Sequence, residues 1–167
     1  MNENKSTKCG ERLYIDISYI NKISFGGSKY WVLVVDEFSK MKWSFFIKMK
    51  NDLPTKIIPL LVQLINNGKH VKYICCDNAG KNFALKEELV KHNLNVNFEF
   101  TAPHTTQQNG IVERAFATLY GRVRAMLLSS RLSQELRSGL WTECALTATL
   151  LDNIMRNRNG VSPVSIH

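Results

Sequence analysis

Leu13-Tyr14-Ile15-Asp16-Ile17 is an apolar run with a carboxylate inside it. A bare Asp in a buried strand costs several kcal/mol unless a partner or a metal takes up its charge. By strand alternation Asp16 shares a face with Tyr14 and Ser18. Two more carboxylates stand at the ends of apolar patterns. Asp77 closes Val71-Lys72-Tyr73-Ile74-Cys75-Cys76, and Glu113 sits in Gln107-Gln108-Asn109-Gly110-Ile111-Val112-Glu113-Arg114, where a loop turns into a helix. Three converging carboxylates would make an oxygen-ligand site for magnesium. Each also has a plainer reading. Asp16 could face solvent from an edge strand, Asp77-Asn78-Ala79-Gly80 could be only a turn, and Glu113 in a first helical turn favours the helix dipole anyway. Asp36 and Glu37 also end an apolar strand, but Phe38-Ser39-Lys40 follows and reads as a hairpin turn.

Around these positions the chain alternates strand and helix patterns. Residues 11–20 read as a strand, 25–28 as a turn, 29–36 as a buried β-branched and aromatic strand, and 41–49 as a third strand. These three suggest an antiparallel meander. Asp52 and Pro54 mark a helix start, followed by Leu53, Ile57, Leu60, Leu61, Leu64 and Ile65 at helical spacing. Pro59 should kink that helix or delay its start. Asn66-Asn67-Gly68 ends it. A strand at 71–76, a short helix at 83–92 with Leu85 and Leu89 inward, and a strand at 96–101 come next. A polar loop at 103–109 leads to long helices at 110–129 and 135–156. Helical crossovers imply parallel pairing after the meander. The order is compatible with an α/β, ribonuclease-H-like fold: a five-stranded mixed sheet with helices on both faces, the first strand central, and the fourth beside it.

The 167 residues suit one core domain, read as 11–156, with a loose N-terminal tail at 1–10 and a C-terminal tail at 157–167. Apolar stretches such as 30–36 and 57–65 are broken well before the ~20 residues of a membrane span. Residues 1–5 have no apolar stretch behind them to act as a signal peptide. A nuclear or cytoplasmic place and no membrane partner follow by default. The net charge of +8 and a pI of about 9.4 suit a polyanionic partner. Arg114, Arg122, Arg124, Arg131, Arg137, Arg156 and Arg158 fill the C-terminal third, which has no Lys; Arg grips phosphate bidentately. Cys9, Cys75, Cys76 and Cys144 lack C-x-x-C spacing and read as reduced thiols, with Cys75 and Cys76 on opposite faces of a strand.

Asp77 and Glu113 have 35 residues between them, and Asp16 lies upstream. The intervening segment opens on Asp77-Asn78-Ala79-Gly80 and closes on Thr101-Ala102-Pro103-His104-Thr105-Thr106-Gln107-Gln108-Asn109-Gly110-Ile111-Val112-Glu113-Arg114. This resembles the D,D-35-E catalytic core of retroviral and LTR-retrotransposon integrases over about residues 11–155. Gln107-Gln108-Asn109-Gly110, Gly26-Gly27-Ser28-Lys29-Tyr30, Val35-Asp36-Glu37-Phe38-Ser39-Lys40 and the helix at 117–127 resemble the copia-type group in particular.

The resemblance implies a DDE-type polynucleotidyl transferase. Water attacks a phosphodiester near an element's 3′ end, and the exposed 3′-hydroxyl then attacks target DNA. Asp16, Asp77 and Glu113 would be the catalytic and metal-binding residues, with two Mg²⁺ ions or Mn²⁺ in their place. Asn78, His104, Gln107, Gln108, Asn109, Arg114, Tyr120 and Arg124 would be the DNA-contacting set. Ala117, Tyr120 and Arg124 fall on the helix face of Glu113, while Arg114 and Arg122 point elsewhere, toward more distant phosphates. Double-stranded DNA and further copies of the chain would be the partners; Leu136, Leu140 and Trp141 read equally well as an exposed apolar contact patch or as ordinary core packing. Relatives usually carry an acidic residue at the position of Lys81 and Pro at that of Thr106. Only Cys9 precedes the core, and His70, His92, His104 and His167 lack ligand spacing, so the zinc module of full integrases is not read here. Two other readings stay open: a catalytically idle, integrase-derived DNA-binding or dimerisation module, and a ribonuclease-H-type nuclease, which the loop before Glu113 disfavours.

Overall fold

A computed structural model describes residues 5–77, 81–101, 110–155 and 160–167, without the side chains of residues 81–83 and 101. Strand β1 (Arg12–Tyr19) is the centre of the sheet because apolar groups cover it on both sides. Leu13 and Ile15 belong to one core layer, and Tyr14 belongs to the other. Strand β2 (Tyr30–Asp36) pairs antiparallel with β1 from Leu13↔Asp36 to Tyr19↔Tyr30, and β3 (Lys42–Ile47) extends the meander. On the other side, β4 (Tyr73–Asp77) runs parallel to β1, and β5 (Asn97–Thr101) runs parallel to β4. The order β3-β2-β1-β4-β5 is the five-stranded mixed sheet expected from the sequence.

Helix α1 (Leu53–Asn66) buries Leu53, Ile57, Leu60, Leu61 and Leu64 against Leu13, Val32, Val34 and Ile74. It runs unbroken through Pro59. Burial of this stripe outweighs the lost hydrogen bond, so the expected late start does not occur. Helix α2 (Lys81–Lys91) adds Leu85 and Leu89 to that layer, and Ala84 is exposed. The opposite layer is α3 (Gly110–Ser129), whose Val112, Ala115, Phe116, Leu119 and Val123 pack on Trp31, Leu33, Val35 and Cys75. Cys75 and Cys76 do enter opposite layers.

The last expected helix is two. Helix α4 (Gln134–Gly139) ends at Leu140, and α5 (Trp141–Ile154) starts there. The break has a cause at Gly139. The Phe25 ring lies where a Cβ would stand, 2.6 Å away, and the Gly139 carbonyl accepts from the Phe25 N–H at 3.0 Å. Trp141 is buried, edge-on to Phe46, with its indole N–H on the Lys22 carbonyl. It therefore belongs to the core rather than to a contact patch. The exposed apolar face of α5 is instead Leu146, Leu150, Leu151 and Ile154.

Both expected tails are tied down where they are described. The Ser6 N–H donates to Glu37 and the Gly10 N–H to the fully buried Asp36. Asp36 also accepts from the Ser39 N–H and hydroxyl, so it serves the turn, as read from the sequence. At the other end a short helix α6 (Pro163–Ile166) packs on α5, and the His167 ring meets Trp43 edge-on at 5.1 Å. No helix among the described residues is long and apolar enough to cross a membrane.

Candidate active site

The β1–β4 ladder runs through Arg12↔Tyr73, Leu13↔Ile74 and Tyr14↔Cys75, then stops. Continued two residues further, the same register would set Asp16 beside Asp77. Like charges directly opposite each other oppose pairing. Past that point β1 stays with β2 as far as Tyr19, and β4 stays with β5 as far as Asp77↔Thr101. The sheet therefore opens between its antiparallel and parallel halves, where the two carboxylates stand. In open α/β sheets such an opening at the carboxyl ends of strands is where ligands bind.

Helix α3 delivers the third carboxylate. Its apolar stripe fixes the rotation of the helix on the sheet, which leaves Glu113 exposed in the first turn. Asp16 is half-buried, and Oδ1 accepts the Ile17 N–H at 2.8 Å. Burial pushes the Asp16 carboxyl above its ordinary pKa, the Ile17 N–H pulls it back, and the charges of Asp77 and Glu113 push it further up. No cation is among the groups that shift it. Asp16 on β1 thus feels charge from β4 and α3, which sequence separation alone could not establish. The donor chemistry is that of a hard divalent cation. Among the described residues, however, no group of three His, Cys, Asp or Glu side chains is gathered closely enough to hold an ion.

The raised pKa has a stability consequence. A carboxyl whose folded pKa is raised contributes stability below its unfolded pKa, and that contribution is lost as pH rises through the folded value. At neutral pH without metal, Asp16 is held at a cost. Asp16→Asn is expected to raise the metal-free unfolding free energy by about 1 kcal/mol at pH 7, the low end for a poorly compensated buried polar group. The gain should shrink to nothing below about pH 4. Thermal melts in chelator at the two pH values check it; a variant less stable than the parent at pH 7 would count against the charge crowding.

Next to Asp16 the side chains form a chain of contacts. Ser18 accepts the Tyr120 hydroxyl at 2.6 Å, and the Tyr120 ring packs on Trp31 and Phe116. Burial raises the Tyr120 pKa, the Ser18 bond lowers it, and Asp16 raises it again. Tyr120 is thus half-buried beside the carboxylates, with its hydroxyl engaged within the protein. Arg114 and Arg124 are exposed on α3. Arg122 is not turned to distant phosphates: its guanidinium is 2.7 Å from Asp152 of α5. Gly110 is a buried first residue of α3, where a Cβ would meet the Arg114 guanidinium at 3.0 Å. Asn78, His104, Gln107, Gln108 and Asn109 lie outside the described residues. Sequence reasoning missed Ser18 as a partner and Asp152 altogether. Alternation placed Ser18 on the right face; nothing local marked Asp152.

No protein-family model matches the chain. It is 30% identical over 132 residues to the retrovirus-related Pol polyprotein from transposon TNT 1-94 of Nicotiana tabacum, which is 78% of this chain and 10% of that polyprotein. It is 29% identical over 112 residues to the corresponding polyprotein from transposon RE2 of Arabidopsis thaliana, covering 65% of this chain and 7% of that one. The chain thus spans about a tenth or less of the relatives it matches. Among solved structures, the HTLV-2 integrase catalytic core domain in complex with magnesium superposes with a TM-score of 0.65 at 16% identity, over 97% of this chain and 99% of that one. The catalytic core domain of BIV integrase gives 0.63 at 20%, over 94% and 93%. A chain of the simian T-cell lymphotropic virus intasome, solved with the PP2A regulatory subunit B56 gamma, gives 0.73 at 14%, over 98% and 56%.

The fold is that of the retroviral integrase catalytic core, a ribonuclease-H-like sheet with helices on both faces. By sequence the chain is related to a short stretch of the retrovirus-related Pol polyproteins of plant copia-type transposons.

Proposed function

We propose that the chain is a metal-dependent polynucleotidyl transferase that processes 3′ DNA ends and joins them to target DNA. The observation that carries this is the stop in the β1–β4 ladder where Asp16 and Asp77 stand, with Glu113 exposed in the first turn of α3. Asp16 on the central strand, Asp77 at the end of β4 and Glu113 on α3 would hold the metal. Bound there, magnesium would supply Lewis acidity and lower the pKa of the attacking water. The protein's part is to hold three carboxylates on a strand, a strand end and a helix whose positions the two cores fix. Arg114 and Arg124 stand exposed on the helix that carries Glu113, where they can take phosphate charge. Magnesium in the HTLV-2 core and the intasome assembly of the simian virus protein support the metal and the DNA partner by analogy. The net charge of +8 suits that partner. The exposed leucines of α5 suit contact with a second copy.

The reading to hold against this one is an idle DNA-binding module, favoured by the absence of a closed donor set among the described residues. The test is disintegration, the reverse of strand transfer, on branched DNA with Mg²⁺ or Mn²⁺. Parent activity that disappears in Asp77→Asn is the expected result. Equal silence in both, with binding of the branched DNA retained, would overturn the transferase reading in favour of the module.

A further inference from the structure

Beyond the carboxylates, α3, α4 and the far ends of β1 and β2 enclose a cavity of about 540 Å³. That is ample for a single flat ring system with its attachment. Its walls are apolar: Val123 and Leu127 from α3, and Trp141 from the start of α5. The Trp141 N–H is already spent on the Lys22 carbonyl, so the indole offers hydrocarbon alone. Lys22, Arg124 and Arg137 line the cavity too, with no Asp or Glu among the lining residues. None of the three cations forms an ion pair among the described residues. Arg137 Nε is buried with no hydrogen-bond partner, a donor left without an acceptor. Tyr120 lines the same cavity, and its hydroxyl bonds Ser18, two residues from Asp16.

We propose that this cavity takes one unstacked nucleotide of the DNA substrate, its base in the apolar trough and its phosphate on Arg137, Arg124 and Lys22. A polyanion that carries one flat ring per charge matches an apolar pocket lined by three cations that form no ion pair among the described residues. An apolar helix or a second copy of this chain, laid over the same opening by its leucines, would bury those cations without partners. Stacking of bases on ring-lined pockets tolerates any sequence, so the site selects unpaired over paired DNA rather than one base over another. This inference deepens the transferase reading by adding a strand-gripping subsite beside the reacting phosphodiester.

The experiment uses two oligonucleotide duplexes bearing 2-aminopurine, one with the probe in a single-stranded extension and one with it fully paired. The parent should quench the unpaired probe and favour that DNA by about tenfold. Ser138→Trp, which fills the cavity from its rim, and Arg137→Met, which removes the orphan donor, should each abolish the preference while melting as the parent does. Asp16→Asn should keep it. Equal binding of both DNAs by the parent, or a preference that survives in both variants, overturns the proposal. So does a cavity variant that alters only self-association in sedimentation, which would assign the cavity to a second copy. Disintegration assays on the same proteins separate the two readings. A silent parent that keeps the preference sinks the transferase and leaves the subsite, and an active parent without the preference does the reverse.

Discussion

Glu113→Gln is expected to lower metal-dependent strand chemistry by at least about 10³-fold, roughly 4 kcal/mol of transition-state stabilisation, with little change in melting temperature. The side chain is exposed in the first turn of α3 and packs into neither core, so folding asks little of it. Its contribution to the helix dipole is worth under about 1 kcal/mol at an exposed position. The amide keeps shape and one oxygen but loses the charge that Asp16 senses. Relief of that charge also brings the Asp16 pKa down, so the variant should show a lower acid limb in any pH titration of Asp16 by NMR. The sign discriminates: a Gln variant that keeps activity within tenfold would mean that Glu113 is a dipole-favouring surface residue and that the resemblance had assigned it wrongly. Single-turnover assays at saturating DNA keep the comparison on chemistry rather than binding.

How far the sequence could be read depends on the reach of the interactions involved. Alternation along residues 13–17 placed Tyr14, Asp16 and Ser18 on one face, and Tyr14 does enter the α3-side core while Ser18 meets Tyr120. The ends of α3 were legible, because it is a long helix packed on one face. Adjacent cysteines went to opposite layers by the same period-two rule. Periodicity could not show the break at Leu140. It depends on Phe25 lying against Gly139, a contact across more than a hundred residues. For the same reason the docking of residues 163–166 was out of reach, and core packing of Trp141 could not be told from an exposed patch: each answers to a partner elsewhere in the chain. Pro59 shows the converse, a strong local signal overruled by the buried aliphatic stripe of its own helix. Of the site, residue types and spacing carried the resemblance, but only the stop in the β1–β4 ladder explains why two acidic strands part where they do.

Asp152→Ala is expected to cost about 3 kcal/mol of stability, the low end for removing one partner from a buried ion pair. Asp152 Oδ2 is 2.6 Å from Lys42 Nζ and Oδ1 is 2.7 Å from Arg122 Nη2. The carboxylate and the lysine are 14% and 10% exposed, so both are nearly out of water, while the 28% of Arg122 softens the penalty on that arm. Removing the carboxylate strands two cations, and Arg122 Nη1 is already buried without a partner. The location magnifies the loss, because β3 is a sheet edge. Asn153 closes that edge by accepting the Lys42 N–H at 2.9 Å and donating to its carbonyl at 2.8 Å, as a further strand would. Thr149 continues the seam through Ser44 to the Trp31 indole. Helix α5 is therefore fastened to the edge strand and to α3 by one polar line, with Asp152 at its charged end. For a domain of this size the expected drop in melting temperature is roughly 10 °C. Denaturant melts of Asp152→Ala beside Asp152→Leu with Lys42→Met separate the causes. Recovery of most of the loss in the double variant would show that the cost lies in the stranded cation rather than in missing packing, and a loss below about 1 kcal/mol would place the pairs with ordinary surface ion pairs.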